Sequence, residues 1–306
     1  MLSLKQLKYF DALARCRHFG KAAEQCAITQ PALSMQIQEL EKYLQVQLFE
    51  RGRGPVMLTN SGRSVALRAA RILSDARDIV DVARQDDKSL AGPLGLGVIP
   101  SIAPYILPSL LPAIRDACPD LALRLRETQT QFLLRELLDG SLDLLLLALP
   151  VETPAIETLR LFDDRFLLAM AQSKRISNHV RATPDMIESD KLLLLEEGHC
   201  FRDQALMFCG LQQIENIATF GVSSLSTLLE MVTNGFGVTL IPEISVEFET
   251  KRTNIHVMRF EDPEPKRVIG LAWRKSSPRK HDYIKLGEII VAVTERLRKQ
   301  PAKRVE

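Results

Sequence analysis

Two cysteines in the middle of the chain have neighbours that could support thiol chemistry. The stretch 192–210 reads LLLLEEGHCFRDQALMFCG, in which four leucines predict a buried strand and a charged turn follows. Apolar residues then recur at three- and four-residue spacing from Arg202 to Cys209, which predicts a short helix with one apolar face. Cys200 therefore lies beside a helix N-terminus, with His199 before it and Arg202 two residues after it. A helix dipole and a neighbouring cation both favour the thiolate, which is the reactive form of cysteine.

The spacing of Cys200 and Cys209 bears on whether the two thiols could bond. In a regular helix their Cα atoms would lie about 13 Å apart, at a rise of about 1.5 Å per residue. A disulfide requires Cα atoms within about 7 Å, so the helix would have to unwind, which outlines a switch. Two other interpretations stay open. The cysteines could be small buried apolar residues, or zinc ligands, although no close Cys-x-x-Cys or histidine partner completes a tetrahedron.

Length and composition bound the class of protein. A chain of 306 residues is long enough for two domains, and 46% hydrophobic and 25% charged residues are ordinary for a soluble globular protein. The longest uncharged apolar run, Leu144 to Val151, is far shorter than a membrane span. Lys5 and Lys8 interrupt the first apolar residues, so the pattern of a signal peptide is missing. We expect a cytoplasmic protein with no membrane partner.

Cysteine count and charge distribution narrow the class further. The five cysteines are an odd number in no regular framework, which favours thiols kept reduced, so that any disulfide would be regulatory. The net charge is +2, but residues 1–88 hold 14 Lys and Arg against 10 Asp and Glu, and the remainder is slightly acidic. A basic N-terminal module on an acidic body fits nucleic acid binding at that end.

The N-terminal residues have the pattern of a helix-turn-helix. Ser3 and Gln6 form a capping box at the start of a first helix with one apolar face. A short second helix begins at Gly20, and Thr29 caps a third helix that accepts Pro31 in its first turn. Two helices joined by a tight turn, the second polar on its outer face, are typical of DNA-binding modules.

Polar residues on the third helix and a basic loop after it could contact DNA. Amide and hydroxyl side chains on the outer face suit hydrogen bonds to base edges and phosphates, although any solvated helix carries such residues. They are Gln30, Ser34, Gln36 and Gln38. Segment 49–59 then reads as a hairpin with a basic, glycine-rich tip, which predicts the wing of a winged helix. Its Arg51 and Arg53 are placed for contacts with the DNA backbone or minor groove.

The same region resembles the DNA-binding signature of LysR-type transcriptional regulators. The resemblance covers the whole of AAEQCAITQPALSMQIQELEKYLQVQLFERG, including the Ala-Ala pair, Gln30-Pro31, Ser34, Ile37, Leu40-Glu41, Leu44, Leu48-Phe49 and Arg51. It implies a dimer that binds double-stranded DNA sequence-specifically, with RNA polymerase as a further partner. The residues that it implies for DNA binding are Thr29, Gln30, Pro31, Ser34, Gln36, Arg51 and Arg53.

A long helix and a change of composition divide the chain. Thr59 or Asn60 caps a helix that reaches about Lys88, and its narrow apolar seam predicts a dimerising coiled coil, the linker helix of LysR-type regulators. Gly92-Pro93 indicates a hinge. The expected division is a winged helix-turn-helix domain at 1–59, a linker helix at 60–88, a hinge at 89–93, a regulatory domain at 94–300 and a tail at 301–306.

Strand and helix patterns alternate from Leu94 onward, with one strand expected at 166–171, which predicts an α/β fold with parallel sheets covered by helices. The LysR resemblance implies two α/β subdomains arranged like a periplasmic solute-binding protein, with a cleft between them. We expect one at 94–164 plus 268–300 and the other at 165–267. No Gly-x-Gly-x-x-Gly or Walker motif accompanies the strands, so we expect no cofactor.

Within this domain, GHCFRDQALMFC resembles the redox motif of the OxyR family, the peroxide-sensing regulators of the LysR type. The Gly-His-Cys, Arg-Asp-Gln and Phe-Cys elements stand at the same offsets. The resemblance implies hydrogen peroxide as effector, Cys200 as the peroxidatic and Cys209 as the resolving cysteine, and a reversible disulfide that controls oxidative-stress genes. Because no close Cys-x-x-Cys or histidine partner accompanies these cysteines, we expect no metal site.

The OxyR resemblance also implies a set of peroxide-binding residues, which are Ser101, Thr130, Gly198, His199, Asp203 and Arg267. Ligands of open parallel sheets lie at the carboxyl ends of strands, where Ser101 and Thr130 are expected. Ser101 is a departure, because the family commonly carries threonine there; the hydroxyl survives and the methyl group does not. The family further implies a homo-oligomer, a dimer of dimers.

Two rival functions have their own signatures. A LysR-type regulator could bind a small metabolite in the cleft, with its cysteines incidental. A thiol peroxidase would use the same first chemical step, but an enzyme has no use for the winged helix. We therefore expect a peroxide-sensing regulator rather than an enzyme.

Overall fold

The computed structural model describes residues 1–50, 56–84, 90–172, 180–188, 191–196, 200–208, 217–219 and 221–299. The chain divides into two compact units. The N-terminal unit consists of Met1–Lys88 with Glu136–Leu142, and the second unit consists of Ser89–Arg135 with Asp143–Glu306. None of the described helices is both long and apolar enough to cross a bilayer.

Four helices build most of the N-terminal unit, and local capping explains where three of them begin. They are α1 Leu4–Cys16, α2 Phe19–Gln25, α3 Gln30–Leu44 and α4 Asn60–Arg84. Ser3 and Gln6 form the predicted capping box, and the predicted cap Thr29 accepts from the backbone N–H of Ala32. His18 caps α2 through Nδ1, so that helix begins one residue before Gly20.

Apolar faces of these helices share one core. Phe10 and Leu13 of α1 and Leu33 and Leu40 of α3 are completely buried, as the helical spacing in the sequence predicts. Phe10 packs edge-on against Phe49, with ring centroids 5.5 Å apart. Ala22 and Ala23 of α2 belong to the same core, which buries one face of α3 and leaves its opposite face outward.

The predicted hairpin follows α3 as two very short antiparallel segments. Phe49 and Leu58 form an isolated bridge, and the N–H of Glu50 donates to the carbonyl of Met57 at 2.8 Å. Gly62 of α4 lies against the carbonyl of Leu48 so closely that a Cβ atom would come within 2.0 Å of that oxygen. The missing side chain therefore lets α4 pack directly on the base of the hairpin.

From residue 90 on, strands and helices alternate. The strands are β1 Gly92–Val98, β2 Leu121–Glu127, β3 Leu144–Leu149, β4 Ile156–Ala171, β5 Leu192–Leu194, β6 Ile217–Thr219, β7 Thr239–Pro242, β8 Ile255–Arg259 and β9 Lys266–Arg274. The helices are α5 Ala103–Ala117, α6 Thr130–Leu138, α7 Pro184–Glu188, α8 Cys200–Phe208, α9 Leu225–Thr233, α10 Glu243–Glu249 and α11 Lys280–Lys299. The described part of the chain thus has the α/β composition expected from the sequence.

The main sheet is mixed, which corrects the expectation of purely parallel sheets. Its strands run in the order β2-β1-β3-β9-β4-β7, with β8 also paired to β4, and β5 and β6 form a separate parallel pair. Among the described strands of the main sheet, β1 is parallel to β2 and β3, whereas β9 and β4 are antiparallel to their neighbours. The long strand β4 joins the two parts of the sheet, because its residues 156–165 pair with β9 and its residues 166–171 pair with β7 and β8.

Three boundaries differ from those predicted. Gly92 and Pro93, placed in the hinge 89–93, instead begin β1, where Gly92 adopts a φ of +75°. The strand predicted at 166–171 begins ten residues earlier, because the charged segment before it pairs with β9. The helix predicted from Arg202 begins at Cys200. The sequence pattern also missed α10, which is only one to two turns long.

Candidate functional site

The outer face of α3 carries the polar residues expected to contact DNA. Thr29, Gln30 and Pro31 are exposed at its start, while Ser34 and Gln36 are half-buried one turn later. The opposite face, with Leu33, Ile37 and Leu40, is buried in the core. Gln36 already donates from Nε2 to Glu39 Oε2 at 2.8 Å, so a base contact by Gln36 would have to replace that bond. The helix therefore presents an anchored rear face and a polar front face.

The two arginines predicted for the wing, Arg51 and Arg53, lie outside the described residues. The segments on either side of them are held together by the bridge between Phe49 and Leu58. The hydroxyl of Thr59 donates to the carbonyl of Gln47 at 2.7 Å and accepts from the N–H of Gly62. Arg63 of α4 also donates from Nη1 to the carbonyl of Leu58 at 2.8 Å, so two side chains join the base of the wing to α4.

The second candidate site begins at the carboxyl ends of two parallel strands. Val98 of β1 is paired with Glu127 of β2, and Ser101 and Thr130 each follow three residues after this pair. Both hydroxyls therefore lie at the edge of the sheet where ligands of such folds bind. Ser101 is buried, with 6% of its surface exposed. The hydroxyl oxygen of Thr130 is buried and has no hydrogen-bond partner among the described residues.

A buried arginine joins Ser101 to the strand that returns to this half of the sheet. Arg267 of β9 donates from Nη1 to Ser101 Oγ at 2.8 Å and from Nη2 to the Ser101 carbonyl at 3.2 Å. Its Nε donates to Asp164 Oδ2 at 2.9 Å. Arg267 and Asp164 are both buried, so the pair is shielded from water. Two of the residues predicted for peroxide binding are thus in direct contact.

The same arginine contacts the helix that begins at Cys200. The guanidinium carbon of Arg267 lies 5.6 Å from the ring centroid of Phe201 and 5.9 Å from that of Phe166. Phe201 is completely buried in the second position of α8. Because Phe201 belongs to the first turn of α8, this contact places that turn, including the backbone of Cys200, next to Arg267.

The remaining predicted residues fall on or next to this helix. Cys200 begins α8 and Asp203 follows in its first turn, which places both backbones at the positive end of a helix dipole. Their side chains lie outside the described part of the structure, as do Gly198, His199 and Cys209. The structure therefore brings Ser101, Arg267 and the start of α8 together and does not test the contacts of the two thiols.

Burial makes two of the other cysteines poor nucleophiles. Cys118 is buried, and desolvation raises the pKa of its thiol above the ordinary value of 9.0. Desolvation likewise raises the pKa of the Cys26 thiol. Because the thiolate is the reactive form, a raised pKa disfavours reaction at either thiol.

Sequence reasoning missed Asp164 and Phe201 in this site. The available signal was the strand pattern of β4, in which Asp163 and Asp164 are adjacent and must therefore point to opposite faces. Asp163 faces solvent and pairs with Lys266 and Arg160, which lowers the pKa of its carboxyl. Asp164 faces inward, where an unpaired charge would be costly, and so requires a buried cation.

A cavity of about 580 Å³ lies elsewhere in the second unit, between α5, α10 and β4. Its lining includes Tyr105, Phe248, Arg165 and Arg259 but neither Ser101 nor Arg267. Arg165 and Arg259 are paired with carboxylates at the rim, chiefly those of Glu264 and Glu243 respectively, so their charges are already compensated. Of the residues predicted to bind peroxide, the described side chains of Ser101, Thr130 and Arg267 all lie outside this lining.

Comparison with known protein families identifies the class of protein that this fold and these sites define. The model of the bacterial regulatory helix-turn-helix of the LysR family matches residues 4–63, and the LysR substrate-binding domain matches residues 87–291. The chain therefore belongs to the LysR family, whose members are DNA-binding transcriptional regulators rather than enzymes.

Individual relatives place the chain in the OxyR group of that family. The DNA-binding transcriptional dual regulator OxyR of Escherichia coli K12 is 38% identical over 291 residues, which is 95% of each chain. The structure of a full-length OxyR variant from Pseudomonas aeruginosa has 34% identity and a TM-score of 0.81, with 95% of both chains covered. A peroxide-bound OxyR mutant from Corynebacterium glutamicum has 34% identity and a TM-score of 0.66, covering 96% of this chain and 95% of that one.

Proposed function

We propose that this LysR-family regulator senses hydrogen peroxide through Cys200 and controls transcription of oxidative-stress genes. The observation that carries the proposal is the contact of Arg267 with both Ser101 and Phe201, which gathers a buried hydroxyl and the start of the cysteine-bearing helix at one place. The peroxide found in the related Corynebacterium structure supports the choice of effector.

The proposed first step is oxidation of Cys200 by peroxide. The Cys200 thiolate attacks one peroxide oxygen, an S–O bond forms and the O–O bond breaks. Sulfur loses two electrons, and the hydroxide that leaves takes up a proton to become water. In the second step the Cys209 thiol attacks the sulfenic acid; an S–S bond forms and a second water leaves. The net reaction converts two thiols and one peroxide into a disulfide and two waters.

The residues around Cys200 are assigned complementary tasks. The hydroxyls of Ser101 and Thr130 orient the peroxide, and the unsatisfied buried hydroxyl of Thr130 supports this role. His199 and Asp203 hold the water and proton network around the departing oxygen, and Gly198 belongs to the same peroxide-binding set. Arg267 holds Ser101 by donating a hydrogen bond to its hydroxyl oxygen.

Energies of similar size make the switch bistable. Closing a disulfide loop of about ten residues stabilises the bridged form by roughly 2–3 kcal/mol through the unfolded ensemble. Unwinding α8 exposes buried apolar side chains such as Phe201, and each large one is worth about 1.5–3 kcal/mol. Two packings this close in energy can be selected by the redox state of the thiols.

The DNA-binding part of the proposal rests on α3 and the wing. Thr29, Gln30, Pro31, Ser34 and Gln36 would contact base edges or phosphates from α3, and Arg51 and Arg53 from the wing. A dimer joined through α4, and a tetramer built from two dimers, would present these helices to successive half-sites in the cytoplasm. RNA polymerase would be the partner of the DNA-bound form.

The proposed domain division follows the sequence. Residues 1–59 form the DNA-binding domain and 60–88 the linker helix. The segment 89–93 connects them to a regulatory domain at 94–300, and 301–306 form a tail. The antiparallel crossing of β4 and β9 supports two subdomains, 94–164 with 268–300 and 165–267, because both strands pass between them. Residues 136–142 pack with the N-terminal unit, although the proposed division assigns them to the regulatory domain. At these residues the proposed division follows the order of elements along the chain rather than their packing.

Thiol mapping by mass spectrometry before and after one equivalent of peroxide tests the sensor. Wild-type protein should lose the free thiols of Cys200 and Cys209 and gain one disulfide between them. Cys200→Ser should remain reduced at any peroxide dose, whereas Cys209→Ser should accumulate a sulfenic acid that dimedone traps. Cys118→Ser serves as the matched control and should behave as wild type.

One outcome would favour the metabolite-binding alternative. If both thiols stayed free after peroxide while transcription of a target gene increased, the disulfide could not be the signal. The cavity bounded by Tyr105 and Phe248 would then be the place to search for an effector.

A further inference from the structure

Asp164 and Arg267 face each other across neighbouring antiparallel strands. They are direct partners in the register of β4 and β9, and their side chains are 0% and 1% exposed. Both Nε and Nη2 of Arg267 lie 2.9 Å from Asp164 Oδ2. A buried ion pair of this geometry has a fixed orientation, because both partners would be left uncompensated if either rotated away.

Both carboxylate oxygens of Asp164 are used. Oδ1 accepts from the backbone N–H of Ile244 at 3.1 Å, while Oδ2 accepts from Arg267. An amide at this position has only one oxygen and would turn its NH₂ group towards one of these two donors. The site therefore requires a carboxylate rather than any polar group of the same size.

The orientation of the arginine determines what Ser101 can do. Ser101 Oγ accepts from Arg267 Nη1 at 2.8 Å, so the hydroxyl hydrogen of Ser101 is left to donate elsewhere. The guanidinium carbon of Arg267 also lies 5.6 Å from the ring centroid of Phe201, the residue that follows Cys200. A shift of Arg267 would therefore disturb both the hydroxyl and the first turn of α8.

We infer that Asp164 is a positioning residue for the reaction of Cys200 with peroxide. By holding Arg267, its carboxylate keeps the Ser101 hydroxyl turned to donate to the peroxide and keeps the guanidinium against Phe201, the residue that follows Cys200 in α8. This inference rests on the proposed function, since it assigns Asp164 a part in the same site. The carboxylate touches neither thiol nor peroxide and acts only through Arg267.

The test compares two reagents for the same thiol. Peroxide needs an oriented hydroxyl, whereas iodoacetamide alkylates the thiolate without one. In a Cys209→Ser background, Asp164→Asn should slow sulfenic acid formation at Cys200 at least about tenfold. The rate of iodoacetamide labelling at Cys200 should change less than about threefold, because the helix and its dipole remain. Mass spectrometry of the Cys200 peptide reports both rates without interference from other cysteines.

The neighbouring strand position supplies a matched control. Asp163→Asn removes an aspartate and its two ion pairs, with Arg160 and Lys266, from the solvent-facing side of the same strand and should leave both rates unchanged. A double-mutant cycle tests whether Asp164 acts through Ser101. In a Ser101→Ala background, Asp164→Asn should slow the peroxide reaction much less than it does alone, because the effect of Asp164 passes through the Ser101 hydroxyl.

Three results would overturn the inference. Equal losses with peroxide and iodoacetamide would show that Asp164 only supports folding around Cys200. An unchanged peroxide rate in Asp164→Asn would remove the role altogether. Full additivity with Ser101→Ala would rule out action through that hydroxyl. Failure of the proposed function looks different, since Cys200 of the otherwise unaltered Cys209→Ser protein would then resist peroxide.

Discussion

The phenol of Tyr105 donates to the carboxylate of Glu249 across a buried interface, with 2.8 Å between the two oxygens. The same carboxylate oxygen accepts from the hydroxyl of Ser226 at 2.9 Å. Tyr105 lies on α5, Ser226 on α9 and Glu249 at the end of α10, so one acceptor joins three helices. In the proposed division, α5 and α10 belong to different subdomains, and this bond therefore holds the two together.

We predict that Tyr105→Phe lowers the free energy of unfolding by about 1–3 kcal/mol at pH 7, the usual cost of removing one partner of a buried bond. The ring contact with Phe248 survives, because only the hydroxyl is lost. Burial, with the Glu249 charge, raises the pKa of Tyr105 above its ordinary 10.0. The stabilisation is therefore complete below pH 10 and is lost at higher pH, where the unfolded chain ionises.

Denaturant titrations between pH 7 and pH 11 measure this effect. The difference between wild type and Tyr105→Phe should shrink above pH 10. A difference that stayed constant over this range would contradict the assigned role of the buried phenol.

We predict that Thr130→Val separates stability from function. Its buried hydroxyl has no partner among the described residues, so replacing it by a methyl group should leave the free energy of unfolding unchanged or raise it by up to about 1 kcal/mol. The rate of Cys200 oxidation by peroxide should fall at least about tenfold, since one orienting group is gone. Thermal unfolding and dimedone trapping measure the two properties.

Thr294→Val is the matched control for this pair of measurements. Thr294 is buried on α11 and donates to the carbonyl of Ile290 at 2.8 Å, so its replacement should destabilise the protein without slowing peroxide oxidation. Loss of stability in Thr130→Val, with peroxide oxidation intact, would refute the assignment of Thr130.

We predict that Ser34→Arg abolishes sequence-specific DNA binding without unfolding the protein. Ser34 is half-buried on the outer face of α3, where a long cation would displace the helix from base edges. Gel-shift assays with the native operator should show no specific complex, and circular dichroism should match wild type. Ser109→Arg, an exposed site on α5, adds the same charge and should keep operator affinity. Wild-type affinity in Ser34→Arg would remove α3 as the reading helix.

We predict that Arg53→Ala weakens binding to all DNA sequences alike. A phosphate contact carries no sequence information, so its loss should reduce the slope of log affinity against log salt by about one. Filter binding at several salt concentrations measures the slope. Arg115→Ala removes an exposed arginine from α5 and should leave the slope unchanged. A change confined to one base position would instead indicate a base contact.

We predict that the full-length protein is an oligomer joined partly through α4. Ile72 and Ile79 are seven residues apart and are 42% and 70% exposed, as a coiled-coil seam without its partner would be. Light scattering at micromolar concentration should detect no monomer in wild type. Ile79→Glu should shift the equilibrium towards smaller species, because it places a charge in the seam. A monomeric wild-type protein would disprove this role of α4.

Local sequence determined the DNA-binding module and the position of the reactive helix. Ser3, Gln6 and Thr29 cap the helices that they were predicted to cap, because a cap contacts only backbone within the next turn. The spacing of apolar residues likewise predicted the buried face of α3 and a helix beside Cys200. Such signals are readable because cause and effect lie within a few residues.

Only the tertiary structure decided what surrounds that helix. Arg267 is 103 residues from Asp164 and 166 from Ser101, and nothing local to any of them specifies that they meet. Their contact depends on β4 and β9 running antiparallel, whereas the alternation of strands and helices had predicted parallel sheets. A strand's side-chain pattern repeats every two residues whichever direction its partner runs, so the sequence of one strand does not encode its neighbour. The site therefore forms only because β9 returns through the sheet and pairs with β4.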